Sequence, residues 1–177
     1  MEDAADMLVD PDAGPGVTFI LAGSTANVGT GCAEGSTQLD LVQPPFTSPG
    51  PELTHDRHDG TLVFCSPAFA AGATLAPGTT LVRLYTDKVQ GTGSSCRITV
   101  TLLVNGTELL GEGTLTLTAS EPLARRTVTF GSQAATLSAG DRLNLRLVWE
   151  QVKSCGESTV HFAAPDVMSS LHLPPLT

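Results

Sequence analysis

The chain has 177 residues, 41% of them hydrophobic and only 15% charged, with a formal net charge of −9. That length can hold a core of its own without disulfides, and one sandwich is the ordinary all-β solution at this size. Basic residues form no stripe, and the adjacent Arg125 and Arg126 are too few to hold a nucleic-acid backbone, so no nucleic-acid partner is expected. No apolar run reaches about 18 residues, so no membrane span is expected either.

The charge is unevenly spread. Glu2, Asp3, Asp6, Asp10 and Asp12 stand in the first twelve residues, which carry no base; the rest of the chain is only −4. Residues 1–16 read as an acidic arm broken by Pro11 and Pro15, with Met7, Leu8 and Val9 as its apolar cluster. Such an arm is disordered alone or docked on a neighbour through that cluster, which makes these three the expected partner-binding residues. It lacks the basic and apolar regions of a secretory signal. The expectation is a natural start and export by a route such as lysis and virion release, or else an upstream signal already removed. Asp10-x-Asp12-x-Gly14 opens like a calcium loop, but Leu21 stands where the twelfth-position Glu belongs.

The body, residues 17–177, reads as a single domain of strands. GVTFILAG is the first, with Val17, Phe19 and Leu21 on one side. Residues 23–36 are rich in Gly, Ser and Thr and contain Cys32; TQLDLV over 37–42 alternates cleanly as the second strand. Residues 43–60 read as a long loop, since four prolines and a run of acids and histidines exclude a central strand. GTLVFCSPAF resumes strand structure, and LAPGTT turns into LVRLYTDK. The strongest local signal is Asn105-Gly106 between two alternating runs, the preferred hairpin turn because both central residues need positive φ. LSAGDR over 137–142 is another turn, leading into LNLRLVWE. Nine or ten strands and no helical period predict an all-β fold. The expected form is an antiparallel two-sheet sandwich, of jelly-roll type in preference to Ig-like.

Four cysteines occur, none at C-x-x-C spacing, which argues against zinc ribbons and redox motifs. They form two bridges or stay as four thiols, depending on compartment. Counting strand directions puts Cys96 and Cys155 at the same end of the sandwich, so that pair is expected. Cys32 and Cys65 then make a second bridge or remain free.

The second half carries a recurring arrangement of turns. Leu137, Ala139, Gly140, Asp141, Arg142 and Leu143 form an L-x-A-G-D-R-L turn feeding a long strand. Thr159-Val160-His161-Phe162 and Ser170-Leu171-His172-Leu173-Pro174 follow as closing strands, with His and Phe where small residues or Tyr are usual. Over roughly the last hundred residues this resembles jelly-roll and β-sandwich surface modules of bacterial and phage structural proteins. The resemblance implies a non-enzymatic sandwich on a cell surface, an extracellular enzyme or a virion.

Candidate chemistry is sparse. His55-Asp56-Arg57-His58-Asp59 is the one dense titratable cluster, but two histidines three apart in a loop fix no third ligand; a solvated loop without tight metal binding is expected. His161 and His172 fall on strands and read as satisfied strand residues. Glu108, Glu112, Glu150 and Asp87 read as outward or terminal strand positions, and no G-x-S-x-G occurs. One Trp, Trp149, and one Tyr, Tyr85, make few sugar platforms. The expectation is no catalytic or metal residue and no cofactor. The expected role is a virion component, a phage head decoration or tail protein, engaging protein subunits as a homo-oligomer or on a lattice. The alternative is an extracellular module binding carbohydrate or a host surface.

Overall fold

The computed structural model describes residues 15–43, 53–56, 60–88, 95–118, 121–150, 158–162 and 168–177. Residues 1–14 of the acidic arm, with Met7, Leu8 and Val9, lie outside them, as do Arg57, His58, Asp59 and Cys155. The described elements are all strands: β1 (Val17–Ala22), β2 (Thr37–Val42), β3 (Leu53–Asp56), β4 (Leu62–Cys65), β5 (Ala73–Leu75), β6 (Gly78–Lys88), β7 (Cys96–Val104), β8 (Glu108–Leu117), β9 (Glu121–Ser132), β10 (Ala135–Leu137), β11 (Leu143–Trp149), β12 (Ser158–Phe162) and β13 (Ser170–Leu173).

The hydrogen-bonded path runs β3-β12-β6-β13-β1-β2-β4-β11-β7-β8, with β9 on β6. β9 follows β6 from Gly78 to Lys88 along one edge, so β12 and β13 share the other edge in succession. β1 joins the two layers: residues 17–20 pair with β13, residues 20–22 with β2. One layer thus holds β9, β6, β12, β13 and β3; the other holds β2, β4, β11, β7 and β8. Alternation builds the core between them. Val82 and Leu84 on β6 and Leu145 and Leu147 on β11 point inward and are fully buried. Phe64 on β4 meets Phe162 on β12 edge-to-face, ring centroids 5.1 Å apart. The layers close on one side where β8 meets β9. Gly111 and Gly113 make that approach fit: a Cβ at Gly111 would lie 2.6 Å from the Gly131 carbonyl oxygen, and one at Gly113 2.7 Å from Val128.

Three expectations need correction. Pairing is not wholly antiparallel: β2 and β4 run parallel, because the chain leaves β2 for the opposite layer before returning. Residues 43–60 are not all loop, since β3 pairs with β12 within them. It is an edge strand, so the prolines that exclude a central strand did not exclude this one. His55 is then no solvated loop residue. It is buried on β3, its Nε2–H directed at the Gly60 carbonyl at 3.2 Å and its ring 5.2 Å from that of Trp149.

Residues 23–36 form a strap over the outer face of the β2–β4–β11–β7 layer. Cys32 is disulfide-bonded to Cys65 on β4, with Cα atoms 5.8 Å apart. Ala33, Val63, Cys65 and Leu103 make a second small apolar cluster beneath the strap. This explains why all four residues of β4 are buried when alternation alone would expose two. Buried Asn144 holds the strap from below: its Nδ2 donates to the Gly31 carbonyl at 2.9 Å and its Oδ1 accepts from the Ala33 N–H at 2.8 Å. Asp40, also buried, accepts from the Ser24 hydroxyl and from the Ala26 and Asn27 N–H groups, each at 2.8 Å, and so shapes the start of the strap.

Candidate functional site

The L-x-A-G-D-R-L turn is a structural knot. Asn105 and Gly106 take φ of 49° and 73° at the centre of a turn closed by the Thr107 N–H on the Val104 carbonyl, within a loop of residues 105–107 whose flanking strand ends pair Val104 with Glu108. Asn105 Nδ2 donates to Asp141 Oδ1 at 2.7 Å, and its Oδ1 accepts from the Arg142 N–H at 3.0 Å. Asp141 Oδ2 accepts from the Ser138 N–H. These bonds to Asn105 first and Ser138 second hold the Asp141 carboxyl below its ordinary pKa. Arg142 reaches the Thr30 carbonyl at 3.1 Å and the Ser66 carbonyl at 2.7 Å, tying strap, turn and β4 exit together. The motif that carries the resemblance is thus spent on the fold.

Most of the other described titratable residues singled out in the sequence are also tied into the fold. His172 is buried on β13 with Nδ1 2.9 Å from Thr18 Oγ1. His161 on β12 pairs with Asp87 on β6 at 3.2 Å. Glu150 accepts from Thr99 Oγ1 at 2.9 Å and from Arg97 at 3.1 Å. Glu112 accepts from Thr101 Oγ1 at 3.3 Å, and Glu108 is exposed at the start of β8. Trp149 is buried and donates to Ser158 Oγ at 2.9 Å, so it offers no face to a ligand. Cys96 is buried and disulfide-bonded; its expected partner Cys155 lies outside the described residues. Among the described residues, no group of three or more His, Cys, Asp or Glu converges to hold a metal.

What remains is a surface, the outer face of the β9–β6–β12 layer. Val82, Leu84 and Thr86 point inward, so Leu81, Arg83, Tyr85 and Asp87 point out. Tyr85 sits between Arg125 on β9 and His161 on β12; Arg83 sits between Thr127 on β9 and Ser170 on β13. Arg83 and Arg125 are therefore diagonal neighbours on one face. Partial burial first, and the positive charge of Arg125 second, lower the pKa of Arg83. Leu123, two residues before Arg125 on the same face, is 44% exposed. Among the described side chains, the other charged groups here are Asp87, paired with His161, and Asp56 on β3. The sequence carried the signal for this cluster. Alternation in LVRLYTDK already puts Arg83, Tyr85 and Asp87 on one side, but the β6–β9 register that adds Arg125 is not readable from it.

No protein-family model and no curated protein matches the sequence. Solved structures do resemble its fold. An α-amino acid ester hydrolase superposes with a TM-score of 0.58 at 12% identity, over 90% of this chain and 36% of that one. SACOL2612, a CocE/NonD family hydrolase from Staphylococcus aureus, does so with 0.59 at 9% identity, over 89% and 36%. An aminopeptidase from the marine sediment archaeon Thaumarchaeota archaeon gives 0.50 at 10% identity, over 65% and 25%. At such identities the likeness is one of fold alone, and the chain spans about a third of the length of the first two hydrolases.

Proposed function

We propose that this chain is a non-enzymatic structural protein, a virion component of the phage head-decoration or tail kind, that engages neighbouring subunits through a sandwich face and its N-terminal arm. The observation that carries the reading is the use of its polar groups. Asp40, Asn144, Asp141, Glu150, His161 and His172 are each bound to a named neighbour in the fold. The face around Arg83, Tyr85, Arg125 and Leu123 suits contact with another protein. It combines an aromatic residue, arginines and an exposed leucine, the residue types favoured at interfaces.

The hydrolase likeness favours a second reading. Nine-tenths of this chain matches a domain-sized third of a longer enzyme, so a role as an accessory domain seated on a catalytic body follows the same surface logic. Sedimentation of the purified chain, together with imaging of the native particle that holds it, separates the two. The assembly reading expects self-association or a symmetric lattice. Deleting residues 1–12 should then leave the sandwich folded and weaken its association with the particle. A stable monomer that co-purifies with a hydrolase, or one that binds a defined glycan, would sink that reading.

A further inference from the structure

We propose that the outer face of β11, β7 and β8, beside the strap, is a contact for a second copy of this chain, in which Arg146 of each copy pairs with Glu112 of the other. An unanswered guanidinium, a self-complementary spacing and an exposed leucine on the same face carry this.

The guanidinium comes first. Arg146 stands on β11 two residues beyond Asn144, on the same side of the sheet, and is half-buried. Its Nε is shielded from solvent and has no hydrogen-bond partner. Its strand neighbours do not supply one. Val63 on β4 has no acceptor in its side chain, and the Thr101 hydroxyl on β7 donates to Glu112 Oε2 at 3.3 Å. A shielded donor without an acceptor is unfavourable, more so when it carries charge. A carboxylate brought by another chain answers it.

Spacing names that chain. Arg146 pairs with Thr101 and Thr101 with Glu112, so the three stand at one level on neighbouring strands. Arg146 and Glu112 are two strand spacings apart, about 9.6 Å, with Thr101 midway. A two-fold axis along β7 at Thr101 turns each Arg146 onto the other copy's Glu112, and each Glu112 onto the other's Arg146. A closed two-fold contact needs that reciprocity. The charges on this face of the three strands also balance: Arg97 and Arg146 face Glu112 and Glu150, with Arg97 already paired to Glu150. Two copies meeting here therefore bring no excess of one sign to the contact. The −9 that each carries acts from further away and is screened beyond about 8 Å at physiological salt.

The leucine is the third point. Leu109 pairs with Leu103 beside the bulge between β7 and β8, which puts it on the same outer face, and it is 51% exposed. The same rotation sets each Leu109 against the other copy's strap, at the level of Asn144. Thr99, Thr114 and Val148 fill the rest of the face, and β7, β8 and β11 contain no lysine. An exposed leucine beside an arginine and a carboxylate, with no lysine to desolvate, suits a contact between proteins. The inference rests on the assembly reading, to which it adds a face and an occupant.

The test is analytical ultracentrifugation of the full-length chain over a concentration series. The parent should show a monomer–dimer equilibrium. Arg146→Glu and Glu112→Arg should each weaken it by about tenfold or more, because each sets like charges together twice across the axis. Mixed in equal parts, the two variants should form a heterodimer within about threefold of the parent's affinity, since opposite charges then meet at both places. The chain carrying both substitutions should pair with itself equally well. Circular dichroism reports that each variant is folded. Should Arg146→Glu fail to fold, Arg146→Gln and Glu112→Gln take its place, each weakening the dimer by about threefold or more. A dimer that ignores every substitution would overturn this face and leave the assembly reading standing. A parent chain monomeric up to about 100 μM would overturn the second copy as occupant, with imaging of the native particle deciding the assembly reading separately. A lower denaturant midpoint for Glu112→Gln with the dimer intact would place the Arg146–Glu112 pair inside one chain and overturn the inference as well.

Discussion

The two outer faces of the sandwich are built on opposite principles. Over β4, β11 and β7 the strap of residues 23–36 seals the face: a disulfide, a buried amide and a small apolar cluster hold it down. Over β6, β9 and β12, Arg125 and Leu123 are exposed and Arg83 and Tyr85 half-buried on one face. The sealed part has its hydrogen bonds answered from within the chain, which marks it as structure. The other face carries exposed Arg125 and Leu123 beside half-buried Arg83 and Tyr85, residue types common at interfaces.

That contrast can be broken most forcefully at the staple. Replacing Cys32 and Cys65 by Ser together removes a bridge spanning 33 residues. In the chain-entropy account this costs about 3–4 kcal/mol, read as a lower denaturant midpoint. A midpoint shift below about 1 kcal/mol would mean that the strap stays seated without the bond. Next in size is Asn144→Ala. It leaves the Ala33 N–H and the Gly31 carbonyl without their buried partner and should cost about 2–3 kcal/mol. Urea melts of single and combined variants should show these losses failing to add, since both act on one strap.

The knot beneath the strap gives a smaller effect that depends on pH. The Asp141 carboxyl has a lowered pKa in the fold because Asn105 and Ser138 bond its charged form. A group held below its unfolded value adds stability that is fully present above the ordinary carboxylate pKa, about 3.9, and is lost as pH falls through the lower folded value. The stability advantage of the parent chain over Asp141→Asn should therefore be flat above about pH 5 and shrink below about pH 4. Thermal melts from pH 2.5 to 7 check this; a gap unchanged across that range would assign the variant's loss to shape and not to charge.

Much of the fold was legible because its signals are local. Alternation in TQLDLV marks β2 to both its ends, Thr37 and Val42, and Asn105-Gly106 marks the turn with both φ values positive. What was hidden depends on partners distant in sequence. Leu53–Asp56 becomes a strand only because β12 lies beside it, and no local pattern in a proline-flanked tetrapeptide announces that. The strap reads as a loop because its contacts are made by Asn144 and Cys65, 111 and 33 residues beyond Ala33 and Cys32 respectively. The candidate face was half visible: Arg83 and Tyr85 share a side by alternation, while Arg125 joins them through a register that only the folded chain fixes.

The smallest expected effect sharpens the contrast from the other face. Arg125→Gln removes a charge from an exposed position on β9 whose diagonal neighbour is Arg83. If that face is free for use, the substitution breaks no bond the sandwich needs, and it relieves a like-charge pair. Stability should stay within about 0.5 kcal/mol of the parent, on the stabilising side at low salt, because same-face like charges cost a few tenths of a kcal/mol. Salt screens that repulsion, so the difference should fade towards zero by about 0.5 M NaCl. Paired denaturant melts of the two chains at low and high salt measure that difference directly. A loss above about 1 kcal/mol from Arg125→Gln would make the open face a structural element like the sealed one.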